Sequence, residues 1–435
     1  MSVWRSVTNA AGVRVLVLGG TGLLGIVSSR LILQNFGVAA YAQYGLLAGL
    51  RNLIPFADLG VGAVVLNSVS ESDDPAKDER VRTTLTTALR VLIVAGLALS
   101  VLVIGLYFLG VWPAILGAGL LPGGELAATA CLVVFALGLP LGIGSRILVG
   151  LGRNAQQIAI LGLVSPLFVL GVIAMVVFGF GNANWIPVIS YLAAAVTAVL
   201  CLIYGSRLIS PAATEAMARV PRTKQFPGVP IARTAGPALV ISIATPLAMQ
   251  TDRLFLSHLT STQELANYGF ASLIFGMVLQ AIIAAGLSLW PYFAKSRSQD
   301  RVDSPFALSA WFFVAAAVAC AALVLALPIL TRIITKDLLN IDWVLAAGFI
   351  ALVLVQAVNY PIGMYMTTPR ALRFQVGPVL AMATLNIGLT WLFVLNLGSG
   401  GAVLATAISV LVCQVVPCAW WTRRDLAHRR GQLAK

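Results

Sequence analysis

The chain has 435 residues, of which 59% are hydrophobic and 10% charged, and its net charge is +13. A soluble domain carries about 25% charged residues, so this chain has too little charge to cover a water-facing surface, and a mean hydropathy of +0.95 agrees. The basic excess sits between apolar blocks, which marks it as a topology signal and argues against nucleic-acid binding.

The apolar blocks are roughly 20–28 residues long, enough to cross about 30 Å of hydrocarbon at about 1.5 Å per residue. They predict an all-α polytopic membrane protein. The first block opens VRVLVLGGTGLLG, and Gly20-x-Gly22-x-x-Gly25 has the spacing of a dinucleotide-binding turn. That turn needs an acid about 20 residues further on; the stretch there reads YAQYGLLAGL. The apolar run also continues through IVSSRLILQNF. The better reading is a membrane helix in which Thr21, Gly25 and Ser29 recur every fourth residue, a small-xxx-small packing face. Its paired glycines are expected to loosen the helix at mid-membrane. The run is too long, and lacks a small-x-small site, for a cleavable signal.

Twelve spans are expected in chain order: 13–34, 40–67, 84–110, 126–149, 158–180, 185–205, 234–257, 265–294, 306–332, 342–366, 373–396 and 401–421. Connections after odd-numbered spans carry almost no Lys or Arg; Arg332 and Lys336 are the exceptions. Connections after even-numbered spans carry Lys77, Arg80, Arg82, Arg153, Arg207, Arg219, Arg222, Lys224, Arg233, Lys295, Arg297, Arg301, Arg370 and Arg373, and the tail WWTRRDLAHRR adds more. Both termini are therefore expected in the cytoplasm. No external segment is long enough to form an enzyme domain, so no enzyme activity and no cofactor is expected. Cys131, Cys201, Cys320, Cys413 and Cys418 lie in apolar blocks without metal-ligand spacing, and the chain has only His258 and His428.

A repeat runs through the chain at an offset near 220: Ser28–Leu33 (SSRLIL) with Thr251–Leu256 (TDRLFL), Tyr44-Gly45 with Tyr268-Gly269, Pro140-Leu141-Gly142 with Pro361-Ile362-Gly363, and Ile189–Leu192 with Ile408–Leu411. Each copy holds six spans, an even number, so both enter the membrane in the same sense and are related by a pseudo-two-fold axis along the membrane normal. The expected organisation is an N-terminal lobe, 1–205, a cytoplasmic linker, 206–233, acting as a hinge, and a C-terminal lobe, 234–435, with a basic tail. Substrate would bind between the lobes near mid-membrane. Gly22 aligns near Pro246, so helices one and seven are expected to bend at equivalent depths.

Five charges fall well inside spans: Arg30, Arg51, Asp58, Asp252 and Arg253. An arginine at the centre of a span costs roughly 2.5–3.5 kcal/mol on insertion scales, so these residues should face a wet cavity or pair with one another. Tyr44, Arg51 and Asp58 are spaced by seven and predict one stripe on the second helix. Arg30 and Arg253 are equivalent by the repeat. Structural readings stand beside the functional one: Arg30 paired with Asp252, Arg253 snorkelling to the outer interface, and Asp58 as partner of an arginine. Arg51 is the hardest to explain structurally, because its nearest same-face acid is two turns away. A cavity lined by arginine suits an anion, since guanidinium grips phosphate bidentately and stays charged.

The segment RNLIPFADLGVGAVVLNSVSE (Arg51–Glu71), the TDR-x-x-L element and the Tyr-Gly opening of the eighth span resemble the Wzx-type flippases of the MOP superfamily, which also holds lipid II flippases and MATE exporters. The resemblance covers the whole chain. It implies alternating-access flipping of an undecaprenyl-pyrophosphate-linked oligosaccharide from the cytoplasmic to the outer leaflet of a bacterial inner membrane. In that picture Arg30, Arg51, Arg253 and Tyr44 contact substrate, and Asp58 or Asp252 serves ion coupling or a structural pair. Glycosyltransferases and a polysaccharide polymerase are the partners it implies. Twelve spans fit Wzx-type members; lipid II flippases typically carry two more. The alternatives are a MATE-like cation-coupled multidrug antiporter or a lipid II flippase, with a membrane glycosyltransferase or polymerase behind them.

Overall fold

The computed structural model describes residues 3–54, 60–226, 250–287, 289–299 and 301–433. Every regular element among them is helical. Eight helices there are long and apolar enough to cross a membrane, and a ninth span arises if the bent pair Trp112–Gly119 and Gly124–Gly138 is one crossing. Val101, Phe108, Trp311, Leu325 and Trp343 are each more than two-thirds exposed. Large apolar side chains displayed in such number need hydrocarbon around them. The chain is a multi-pass membrane protein.

Two of the long helices each cover two expected spans. Helix α1, Val3–Leu53, passes through one non-helical residue, Gly37, at φ 84° and ψ 178°. Only glycine takes that conformation at little steric cost. The expected loosening at Gly19-Gly20 and bend at Gly22 do not occur, since helical dihedrals run through all three and the break falls at Gly37. Two glycines weaken a helix by about 1 kcal/mol each, but the i→i−4 ladder persists through them. Pro246 lies outside the described residues. The Gly20–Gly25 run is helical, which disposes of the nucleotide-binding turn.

The second expected span, 40–67, is also not one helix. Helix α1 ends at Leu53, and α2, Val61–Ser70, starts after Gly60 in the left-handed conformation. Pro55 supplies the reason for the stop, because a proline drives the preceding residue out of the helical region. The equivalent stretch of the second repeat lies within the continuous helix Thr262–Leu287, so this interruption belongs to the first repeat alone.

The chain divides into two compact units, residues 1–36 with 43–239, and residues 37–42 with 240–435. In the first, α1 and α2 are followed by α3 (Glu79–Phe108), α4 (Trp112–Leu116), α5 (Gly124–Gly138), α6 (Ile143–Gly150), α7 (Asn154–Gly162), α8 (Val164–Val177), α9 (Ile186–Leu208) and α10 (Ala212–Arg219). A 3-10 turn at Pro140–Gly142 joins α5 to α6. Val65 and Val69 of α2, Leu85 and Leu89 of α3, Ile143 and Ile147 of α6, and Ala213 and Ala216 of α10 form one buried cluster.

The described part of the connector, 206–226, is thus packed on α3. Arg90, halfway along α3, donates from Nη2 to the carbonyl of Arg219 (2.7 Å), from Nε to Val220 (2.9 Å) and from Nη1 to Phe226 (2.7 Å). These include carbonyls that the end of α10 leaves without helical partners. Arg219 pairs with Glu79 and lies over the Phe226 ring, 4.5 Å from its centroid. Arg82 reaches Glu79 (3.3 Å) and Glu215 (3.2 Å). The Glu79 carboxylate holds the Arg219 guanidinium even more firmly in its charged form than usual. Exposed ion pairs contribute little individually; the Arg90 fork contributes more. Arg90→Leu is expected to lower stability by about 2 kcal/mol and to speed tryptic cleavage after Arg219 and Arg222. Thermal melts and limited proteolysis in detergent check both effects.

The second unit comprises α11 (Asp252–Leu259), α12 (Thr262–Leu287), α13 (Leu289–Ser298), α14 (Pro305–Thr335), α15 (Trp343–Tyr365), α16 (Pro369–Val410) and α17 (Val416–Leu433), with a π turn at Leu411–Val415. Helix α16 kinks at Gly398 (φ 59°), where the Ser399 N–H donates to Glu264 Oε2 at 2.9 Å. At one end of the unit Arg297 donates to the Tyr365 carbonyl (2.8 Å) and to Thr367 Oγ1 (2.9 Å). The Tyr365 hydroxyl donates to Asp425 (2.6 Å), which also pairs with Arg429 (3.0 Å). One network therefore ties α13, α15 and α17 together.

Candidate functional site

Arg51 stands in the last turn of α1, two residues before the helix stops. Its backbone N–H donates to the Tyr191 hydroxyl at 3.2 Å, and that hydroxyl donates to the Leu47 carbonyl at 2.8 Å. Leu47 and Arg51 are one helical turn apart, so a single phenol from α9 clamps the end of α1. Tyr191 is buried, and the Arg51 guanidinium carbon lies 5.9 Å from its ring centroid. A buried carbonyl that loses its donor costs about 1–3 kcal/mol. Tyr191→Phe is therefore expected to destabilise the protein by about that amount, read as a lowered melting temperature, and to weaken any binding that depends on Arg51.

Arg51 lines a cavity of about 250 Å³ inside the first unit. Its other polar lining residues are Ser145, Arg146 and Tyr191; Val134, Phe135 and Leu139 are among the apolar ones. No described carboxylate lines it. Arg51 is half-buried in this wall and Arg146 is exposed, and a largely apolar wall strengthens the field of a charge beside it by lowering the local dielectric.

Arg146 comes from α6, whose rotation is fixed by close backbone packing. A Cβ at Gly144 would lie 2.2 Å from the Leu202 backbone nitrogen on α9, and one at Gly205 would lie 3.1 Å from the Gly144 carbonyl. Only glycine permits that approach. Ile143, Ile147 and Leu148 are buried, while Ser145 and Arg146 line the cavity.

The remaining expected residues are distributed as follows. Tyr44 stacks on Phe168, with centroids 4.9 Å apart and planes at 12°. Arg30 is exposed. Neither lines the Arg51 cavity. Asp58 lies outside the described residues, and the stripe expected from Tyr44 through Asp58 is cut where α1 ends at Leu53.

Asp252 and Arg253 begin α11 in the second unit. Asp252 is 2% exposed. It accepts hydrogen bonds from Thr406 Oγ1 (3.1 Å) and the Tyr268 hydroxyl (3.4 Å), and Thr406 in turn accepts from Asn386 Nδ2 (2.8 Å). The carboxylate is thus engaged by hydroxyls of its own unit. Arg253 donates to Ser272 Oγ at 3.5 Å, with its guanidinium carbon 5.9 Å from the Tyr268 centroid. Tyr268 is the repeat counterpart of Tyr44, yet Tyr44 stacks on a ring whereas Tyr268 serves the carboxylate.

Tyr191 and Arg146 carry no role in the sequence reading. Tyr191 lies in a repeated element, Ile189–Leu192, and Arg146 is an arginine four residues inside the end of an expected span. An intramembrane ionisable residue is a functional candidate by default, and that signal was present for Arg146.

No protein-family model matches the chain, and no curated protein matches it. Solved structures do. A multidrug resistance MATE family transporter of the MOP superfamily, in an inward-facing conformation, aligns with a TM-score of 0.67 at 15% identity over 97% of this chain and 99% of its own. The lipid II flippase MurJ, in an inward closed conformation, aligns with a TM-score of 0.67 at 15% identity over 96% of this chain and 89% of its own. A MOP superfamily transporter from Pyrococcus furiosus, described as having a binding pocket of reverse polarity, gives 0.62 at 14% identity over 98% and 96%. The chain has the fold shared by these MOP-superfamily transporters.

Proposed function

We propose that this protein is a flippase that carries a polyprenyl-pyrophosphate-linked oligosaccharide from the cytoplasmic to the outer leaflet of a bacterial inner membrane, by alternating access. The observation that carries this reading is that Arg51, an arginine inside the apolar body of the first unit, lines a cavity in which no described carboxylate takes part. A cationic drug would be repelled there, whereas a pyrophosphate is attracted and can be gripped bidentately. Arg51 is the first contact of the headgroup, and Arg30, Arg253 and Tyr44 are further contacts on its path. The glycan needs only an aqueous route, and the polyprenyl tail stays in lipid. Glycosyltransferases that build the repeat unit and a polymerase that consumes it are the partners this role requires.

An inside-negative potential favours outward movement of an anion by roughly 2.3 kcal/mol per charge per 100 mV, if the charge crosses the whole field. The buried Asp252 favours a second reading, a MATE-like cation-coupled antiporter, in which Asp252 or Asp58 takes the coupling ion. A lipid II flippase shares the anionic headgroup and differs in the glycan.

Reconstitution separates these readings. Proteoliposomes are loaded with a fluorescent polyprenyl-pyrophosphate oligosaccharide, with lipid II, or with ethidium, and transbilayer movement is followed by quenching. The expected result is movement of the first substrate, faster with an inside-negative potential. Movement of ethidium alone would end the flippase reading.

A further inference from the structure

We propose that the outward face of α17 is a seat for an anionic phospholipid, whose headgroup phosphate is held by Arg423 and Arg424. The inference concerns the second unit and does not depend on the glycan-carrying role above.

The exposed side of the last helix measures depth in the bilayer. Val412 in the π turn, and Val416 and Trp420 in α17, are exposed at intervals of four residues. Valines displayed in this way lie against acyl chains, and tryptophan favours the level where hydrocarbon meets headgroups. Arg424 is one turn past Trp420, about 6 Å along the axis, and Arg423 precedes it. Both are exposed. The two guanidinium groups therefore fall at the depth of lipid phosphate.

Their surroundings leave them for an external anion. The sole acid of α17 is Asp425, and it is turned inward, accepting from the Tyr365 hydroxyl and pairing with Arg429. Neither Arg423 nor Arg424 has a carboxylate partner among the described residues. What they touch are rings. The Arg424 guanidinium carbon lies 3.9 Å from the Trp420 centroid, and that of Arg423 lies 5.4 Å from the centroid of Phe306, the second residue of α14. A ring holds a guanidinium by its face and leaves its N–H edge for phosphate oxygens. Arg430, seven residues past Arg423, is exposed as well and extends the positive field.

The helix is fixed with this face outward. On its inward side Thr422 and Leu426 are buried, and Trp421 stacks on Phe374 of α16 with centroids 6.1 Å apart. With the Tyr365–Asp425 bond, these contacts prevent α17 from rolling its arginines away. A zwitterionic headgroup brings an ammonium to the two arginines and weakens its own attraction; a headgroup of net negative charge does not.

The test titrates delipidated full-length protein in detergent with dioleoylphosphatidylglycerol or dioleoylphosphatidylcholine, and bound lipid is counted by native mass spectrometry. The wild type is expected to prefer the phosphatidylglycerol. Arg423→Gln combined with Arg424→Gln is expected to weaken phosphatidylglycerol about 10–30-fold and to leave phosphatidylcholine unchanged. Arg424→Lys, which keeps the charge and loses the planar fork, is expected to fall between. Arg207→Gln, an exposed arginine in the last turn of α9, is expected to change neither. These variants spare the Asp425 and Trp421 contacts that fasten the helix; if the double variant melts lower than the wild type, Arg424→Lys decides alone. A wild type without preference between the two lipids, or variants that keep the full preference, overturns the assignment. Equal loss in Arg207→Gln overturns it too, since the preference then reports overall charge. Farnesyl pyrophosphate displacing phosphatidylglycerol mole for mole gives the seat to a pyrophosphorylated lipid and overturns it likewise.

Discussion

Arg51→Ala abolishes export of the lipid-linked glycan, and Arg51→Lys keeps a part of it. The asymmetry follows from the two ways a cation binds phosphate. Lysine restores the charge as a compact point but not the planar fork, so attraction survives and bidentate orientation does not. Removing a charge-assisted contact costs about 1.5–3 kcal/mol, roughly one to two orders of magnitude in affinity. The alanine variant is expected to fold, because the Tyr191 clamp uses the Arg51 backbone N–H and not its side chain. Export measured at matched membrane levels, together with the melting temperature, decides the matter. Normal export by the alanine variant would take Arg51 out of the mechanism.

Asp252 is the second position of large effect. Asp252→Ala removes the acceptor for two buried hydroxyls, those of Thr406 and Tyr268. The Thr406 hydroxyl keeps the Ala402 carbonyl as acceptor at 3.3 Å, whereas the Tyr268 hydroxyl loses its carboxylate; a buried group so stranded costs about 1–3 kcal/mol, and the alanine variant is expected to melt at a lower temperature. Asp252→Asn keeps one carbonyl oxygen as acceptor and removes only the charge. It is expected to retain most of the stability lost in the alanine variant. Transport then separates structure from coupling: an asparagine variant that melts like the wild type yet loses ion- or potential-driven movement assigns the charge itself to coupling. Wild-type transport in that variant leaves Asp252 a purely structural role.

The spans were legible because apolar runs of sufficient length survive any packing arrangement. The breaks near NFGVAA and NLGSGG were legible too, since glycine marks a permitted departure from helix, and Gly37 and Gly398 make those departures. The double glycine at Gly19-Gly20 misled for the same reason: permission to bend is not a force that bends. Pro55 carried the signal that α1 stops before it, and the seven-residue spacing of Tyr44, Arg51 and Asp58 concealed it by suggesting an unbroken helix. Arg51 was legible as an exceptional charge. Its partners were not, because Tyr191 lies 140 residues away and acts on backbone atoms. Asp252 was likewise visible as an acid in a span, whereas its Thr406 donor is 154 residues distant. Arg146 fell at the end of an expected span, where a basic residue reads as an orientation marker. Only the shared cavity reveals it facing the same space as Arg51.

The Arg90 fork has a mechanical corollary. Because α10 and the chain up to Phe226 are fastened to α3, a pull arriving at Phe226 is delivered to α3 rather than absorbed by slack at Pro211, so this stretch travels with α3 as a leash tied to its own post.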